Sequence, residues 1–175
     1  MERIKIDIIR ENIVKYCAGE LNECEDPKGS NKTKYGLWFG FNGVAWCCMF
    51  VSWIFDSAGF PIRIAGNRKG FAHTRYIIEF AIKYNLFTDN PKKGDIAMLD
   101  FKKDKYIDHI GIFKEFDAIK KFPLIYEGNT SSDSNGSQDN GDGVYLKRRN
   151  PAFVFKYIDT EKLINKLIEL KLIKA

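Results

Sequence analysis

Ala45-Trp46-Cys47-Cys48-Met49-Phe50-Val51-Ser52-Trp53-Ile54-Phe55 is the stretch on which the reading of this chain turns. Cys47, Phe50, Val51, Ile54, Phe55 and, just beyond, Ala58 recur at three- and four-residue spacing. That spacing predicts a helix from about Cys47 to Ala58 with one continuous apolar face. Gly59 should stop it, with Pro61 just beyond. The glycine-containing segment Phe39-Gly40-Phe41-Asn42-Gly43 leads in, so a thiol falls in the first helical turn. Unpaired backbone N–H groups and the positive end of the helix dipole favour a thiolate there. A cysteine nucleophile needs this setting, and an inert buried cysteine fills it equally well.

The 175 residues are enough for one domain with a sizeable core. A composition of 45% hydrophobic and 29% charged residues reads as soluble and globular. No apolar run approaches the roughly 20 residues of a membrane span. The opening Met1-Glu2-Arg3-Ile4-Lys5-Ile6-Asp7 reads as a charged amphipathic helix rather than a signal peptide, which needs an uninterrupted apolar stretch. Synthesis in a cytoplasm without a signal peptide, and assisted export, are therefore expected. Four cysteines (Cys17, Cys24, Cys47, Cys48) are too few and too clustered for a disulfide framework, and no Cys/His spacing suits zinc. A Cys17–Cys24 link is disfavoured by a cytoplasmic origin. The net charge of +5 gives mild attraction to polyanions, either nucleic acid or an anionic wall. Scattered basic residues without an aromatic-interleaved stripe make nucleic acid the weaker choice.

Ile4, Ile8, Ile9, Ile13 and Tyr16 predict a first helix over residues 2–17. Glu20 to Lys34 reads as a loop, and a further helix is expected over His73–Tyr84. After Asn90-Pro91-Lys92-Lys93-Gly94 the character changes. Asp95–Phe101, Tyr106–Lys114, Phe122–Glu127, Gly143–Arg149 and Phe153–Ile158 read as short strands. Asp159 can then cap a helix with Leu163, Ile164, Leu167, Ile168 and Leu170 on its apolar face. Helices first and strands afterwards give an α+β class, with helices packed on a small antiparallel sheet.

The chain has two histidines, and only His109 lies in a strand. Alternation puts Ile107, His109, Gly111 and Phe113 on one face, with Gly111 leaving room for a helix or substrate to approach the ring. In the next strand Ile125, Glu127 and Asn129 share a face. A carboxylate and a carboxamide there can orient an imidazole. A hydrogen-bonded core histidine, an edge-strand charge and a turn asparagine are the plainer readings. Taken together, cysteine on a helix, base on a strand and polar partners on the next strand follow the papain-like arrangement.

Several segments, in order, then resemble one family: Asn31-Lys32-Thr33-Lys34-Tyr35-Gly36, Gly43 to Trp53, Pro91-Lys92-Lys93-Gly94-Asp95-Ile96, Asp108-His109-Ile110-Gly111-Ile112, Tyr126-Glu127-Gly128-Asn129-Thr130 and Gly141 to Arg149. Over roughly residues 10–158 the chain resembles a CHAP domain, a cysteine, histidine-dependent amidohydrolase/peptidase of phage endolysins and bacterial wall hydrolases. The resemblance implies a papain-like fold with the catalytic domain over 1–158, followed by an amphipathic helix at 159–175. It implies Cys47 as nucleophile, His109 as general base, and Glu127 and Asn129 as orienting groups. Cys48 is read as packing, turned roughly 100° away from Cys47 on the helix. Asn42 is a candidate oxyanion donor, and Trp38, Phe39 and Trp46 are candidates for the substrate groove or for the core. Some relatives bind calcium through an acidic loop before the cysteine. Lys34–Ala45 carries no Asp or Glu, so no metal and no other cofactor is expected. The acidic loop Asp133–Asp142 fails the calcium-loop spacing and is read as a solvated rim.

The implied function is hydrolysis of a peptidoglycan amide, by an amidase or endopeptidase. A non-catalytic wall-binding or effector domain is the alternative. Expected partners are peptidoglycan and anionic wall polymers, with no nucleic acid and no membrane span. A phage lysin would reach the wall through a holin pore. The last helix could cap the domain, join a partner or mediate self-association.

Overall fold

The cysteine helix lies at the centre of the molecule. In the computed structural model, which describes residues 3–174, α1 (Arg3–Gly19) and α2 (Lys34–Phe39) precede it, and it runs as α3 (Cys47–Ser57). Every residue from Cys47 to Ser52 is buried, as are Ile54 and Phe55. A helix so apolar on all sides is enclosed on several sides. Here α1, α2 and the sheet all pack against it.

The face of α1 differs from the expected one. Ile6, Ile9, Ile13 and Cys17 are buried, whereas Ile8 and Tyr16 are exposed; the side chain of Ile4 lies outside the described residues. The buried face is set by Arg10, which is itself 2% exposed. Arg10 Nη1 donates to Asp95 Oδ1 at 2.5 Å and to the Lys93 carbonyl at 3.0 Å, and Nη2 reaches Asp159 Oδ1 at 3.2 Å. A charge that finds two carboxylates can go inside, and it carries its neighbours on the helix with it. Burial raises the Asp95 carboxyl above its ordinary value, while Arg10 and two backbone N–H groups oppose the rise.

The polar segment ends in α2, where Thr33 Oγ1 caps the helix by accepting from the Gly36 N–H and Gly40 closes it at φ 91°. Helix α4 (Thr74–Tyr84) begins with His73 as its N-cap, the ring Nδ1 accepting from the Arg75 N–H. Six strands follow: β1 (Phe87–Thr88), β2 (Ile96–Leu99), β3 (His109–Phe116), β4 (Pro123–Thr130), β5 (Gly143–Arg148) and β6 (Val154–Ile158). They form one antiparallel sheet in the order β1-β6-β2-β3-β4-β5. Five of these match the expected strands, and β1 is a two-residue addition. Ile96, Met98, Ile110, Ile112 and Tyr126 join the core around α3. Ala97, Leu99, Phe113, Ile125 and Tyr157 form a smaller cluster on the opposite face.

Helix α5 (Thr160–Glu169) is tied to the start of β2. Thr160 N–H donates to Asp95 Oδ1, and Thr160 Oγ1 donates to the Gly94 carbonyl. Its apolar residues Leu163, Ile164 and Leu167 belong to the main core. The face considered for self-association is therefore covered within the domain, and one core runs across the 158/159 boundary. No helix among the described residues is long and apolar enough to cross a membrane.

Candidate active site

Helix α3 brings Cys47 to the first residues of β3. The first-turn N–H groups of α3 have no intrahelical acceptor, and Trp46 at the N-cap offers no side-chain oxygen. The Cys47 thiol, in a residue 6% exposed, lies 3.9 Å from the Cys48 thiol, and the His109 imidazole and the Ile110 N–H act on it electrostatically. The hydrogen bond with Cys48, followed by His109 and Ile110, outweighs burial and holds the Cys47 thiol well below its ordinary pKa. Cys48 moves the opposite way. Burial and its bond to Cys47 push its thiol well up, which makes it the donor of the pair. The residue read as packing is in contact with the nucleophile candidate.

His109 is fully buried. Alternation assigns it to the face of Phe113, away from α3, yet it meets Cys47 because it is the first residue of its strand. The β3–β4 pairs run only from Phe116/Pro123 to Ile112/Tyr126, so the strand end beyond them is open to the helix terminus. His109 Nε2 lies 3.2 Å from Glu127 Oε2, and Nδ1 is buried without a hydrogen-bond partner. Burial disfavours the imidazolium, but Cys47 and Glu127 together push its pKa up to about 9. The two shifts run in opposite directions, and both favour a thiolate–imidazolium pair over the neutral one. Phe101 stacks on the imidazole with ring centroids 6.2 Å apart.

The gap at Gly111 is filled by protein. A Cβ there would lie 2.6 Å from Ile125 Cγ2 and 2.8 Å from Glu127 Cγ. The glycine therefore makes room for the histidine's own carboxylate partner. Glu127 is fully buried and is held by Arg149, whose Nε and Nη2 donate to its two carboxylate oxygens at 2.8 and 2.5 Å. Burial would raise the carboxyl; Arg149 and His109 hold it below its ordinary value. Arg149 also donates to Gln138 Oε1 at 2.7 Å and Thr130 Oγ1 at 3.2 Å, and its guanidinium lies 4.9 Å from the Phe101 ring centre. Arg149 was missed as a site residue. The only signal for it in the sequence is that a buried Glu127 requires a counter-charge.

Asn129 makes no hydrogen bond to the imidazole, and its Oδ1 is buried without a partner. The β4–β5 register shifts between Glu127 and Thr130, and Asn129 adopts φ 65°, which breaks the alternation that put it beside Glu127. Its Nδ2 donates to the Asp139 carbonyl and to Asn140 Oδ1, so it anchors the 131–142 loop. That loop is more than a solvated rim, because its Gln138 also braces Arg149. Trp46 is wholly buried, stacked on Tyr35 and bonded through Nε1 to Glu25 Oε1 at 2.9 Å; it belongs to the core and not to a groove. Asn42 Oδ1 accepts from the Thr33 N–H, which ties its side chain to the start of α2. Trp38 is half-buried beside Phe39, with the Lys69 ammonium over its ring. Cys17 and Cys24 are both free thiols. Among the described residues no three His, Cys, Asp or Glu side chains cluster as metal ligands.

A family model described as the CHAP domain matches residues 39–129, just over half of the chain. The match takes in Cys47, His109 and Glu127 and stops short of Arg149. No curated protein and no solved structure matches.

Proposed function

The chain belongs to the CHAP domain family of cell-wall amidases and peptidases, and from that premise we propose that it hydrolyses amide bonds of peptidoglycan with Cys47 as nucleophile. The observation that carries the reading is the buried series Cys47–His109–Glu127–Arg149 set at the uncapped end of α3. The Cys47 thiolate attacks the carbonyl carbon of a muropeptide amide. The Cys47 backbone N–H, at the helix terminus, stabilises the oxyanion that forms; the Asn42 Nδ2 amide is the candidate second donor, its Oδ1 staying on the Thr33 N–H. The tetrahedral intermediate collapses as the C–N bond breaks, and His109 passes its proton to the leaving amine. Water, deprotonated by the now neutral His109, then adds to the thioester and releases the acid and the thiolate. Glu127 holds the ring and favours its charged form, and Arg149 holds Glu127.

Both the muramoyl–L-alanine amide and the peptide bonds of the stem or cross-bridge fit this chemistry, with the bacterial wall as the site of action. Purified peptidoglycan incubated with the protein should release free amino groups. Cys47→Ala should abolish the release, and His109→Ala should slow it by roughly 10²–10⁴-fold, the usual worth of a general base. Undiminished release by Cys47→Ala would overturn the reading. Mass spectrometry of the muropeptides identifies the bond from the new N-termini.

A further inference from the structure

A second surface, sharing no residue with the catalytic cluster, lies between the 63–68 loop, α4 and the chain just after α5. It is an open groove of about 840 Å³. Four exposed cations line it, Arg63, Arg68, Lys83 and Lys171, and no lining residue is acidic. Among the described residues, none of the four has a carboxylate within 4.0 Å. Elsewhere on the surface Lys28, Arg75, Lys102 and Arg148 each hold one, and Lys34 holds two. Basic residues that look scattered along the sequence thus converge, because the loop, helix and C-terminal segment that carry them pack side by side. The floor is apolar, with Phe80 and Tyr84 half-buried.

We propose that this groove binds an anionic wall polymer built of phosphodiester-linked polyol repeats. The unpaired cations match a repeating phosphate charge, and the apolar floor suits the carbon faces of a polyol chain. Stacking of nucleic-acid bases needs open aromatic faces. Here both rings are partly covered, and the Lys83 ammonium sits 5.1 Å from the Tyr84 ring centre. The choice of a wall polymer rests on the proposed wall activity; the groove's preference for a polyanion does not.

The test uses the full chain carrying Cys47→Ala, so that binding is read without hydrolysis. Its retention is measured on walls bearing phosphodiester polymers and on the same walls chemically stripped of them. Polymer-bearing walls should be bound more tightly. With four phosphates neutralised at about 0.7 counterions each, affinity should fall about 50-fold between 50 and 200 mM salt. Adding Arg63→Gln, Arg68→Gln, Lys83→Gln and Lys171→Gln should weaken retention by roughly tenfold or more. Adding Lys15→Gln, Lys32→Gln, Lys120→Gln and Lys121→Gln, a set of equal charge outside the groove, should leave most of it. Equal retention on stripped walls, equal losses in the two sets, or stronger competition by single-stranded DNA than by the free polymer would each overturn the proposal. With Cys47 intact, the groove variant should cut stripped walls at the parental rate. Polymer retention supports the groove whether or not the chain cuts amides.

Discussion

Replacing Arg149 by Met tests the innermost part of the site. The substitution keeps much of the side-chain volume but removes both bonds to Glu127 and those to Gln138 and Thr130. Glu127, with no solvent exposure, would then keep a buried charge opposed only by His109 at 3.2 Å. Breaking a buried pair on one side costs about 3–5 kcal/mol, and the remaining imidazolium places the expected loss near the lower end, about 3 kcal/mol. For a chain of this size that is a fall in melting temperature of about 6–12 °C. Glu127→Gln alone strands the guanidinium and should cost a similar amount. The double variant buries neither charge, so urea unfolding should show a coupling of about 2–3 kcal/mol. The pH dependence has a definite sign. A carboxyl held below its unfolded value of 4.5 contributes stability that is present above that value and is lost as pH falls through the folded one. The gap between parent and Arg149→Met should therefore be full at pH 7 and shrink below about pH 4.5. A loss under about 1 kcal/mol, or additive single effects, would refute the buried pair as described.

The amide-hydrolysis rate should fall on the alkaline side near pH 9, where His109 loses its proton; a limb near pH 6.5 would show an imidazole that the thiolate and Glu127 do not influence. Cys48→Ala removes a donor to the Cys47 sulfur, so the pH profile of Cys47 alkylation, followed by peptide mapping, should move to higher pH, and an unmoved profile would return Cys48 to packing alone. Gly111→Ala puts a methyl 2.6 Å from the Tyr126 carbonyl oxygen and 2.8 Å from Glu127 Cγ. It should cost about 1–3 kcal/mol in urea unfolding and lower turnover as Glu127 shifts, while an unchanged protein would mean that the space is not as tight as it measures.

The cysteine helix and five strands were legible because their signals are local: apolar spacing, a stop at Gly59, and β-branched runs between turns. His109 and Glu127 were legible as a pair because alternation puts them on one face of the sheet; that His109 also meets Cys47 was not, since that face points away from α3 and only its place at the strand end brings it to the helix. Asn129 was misplaced because a bulge changes the backbone at one residue; asparagine tolerates the left-handed region, and the turn reading of Asn129 is the one its φ of 65° fits. Arg149 and Arg10 were missed because each is buried by a partner far away in sequence, and a charge read alone is assigned to the surface. The Cys47–Cys48 contact was judged from helical angle, yet the two sulfurs approach to 3.9 Å.

The most direct measurement is an acid quench of the protein during turnover of purified peptidoglycan, with fragment-ion mapping of the peptide that carries both Cys47 and Cys48. The expected result is an acyl thioester on Cys47, lost when the reaction is chased to completion and never formed in His109→Ala on the same timescale. An adduct on Cys48, or amide cleavage at the parental rate in Cys47→Ala with no adduct on either thiol, would contradict Cys47 as the nucleophile.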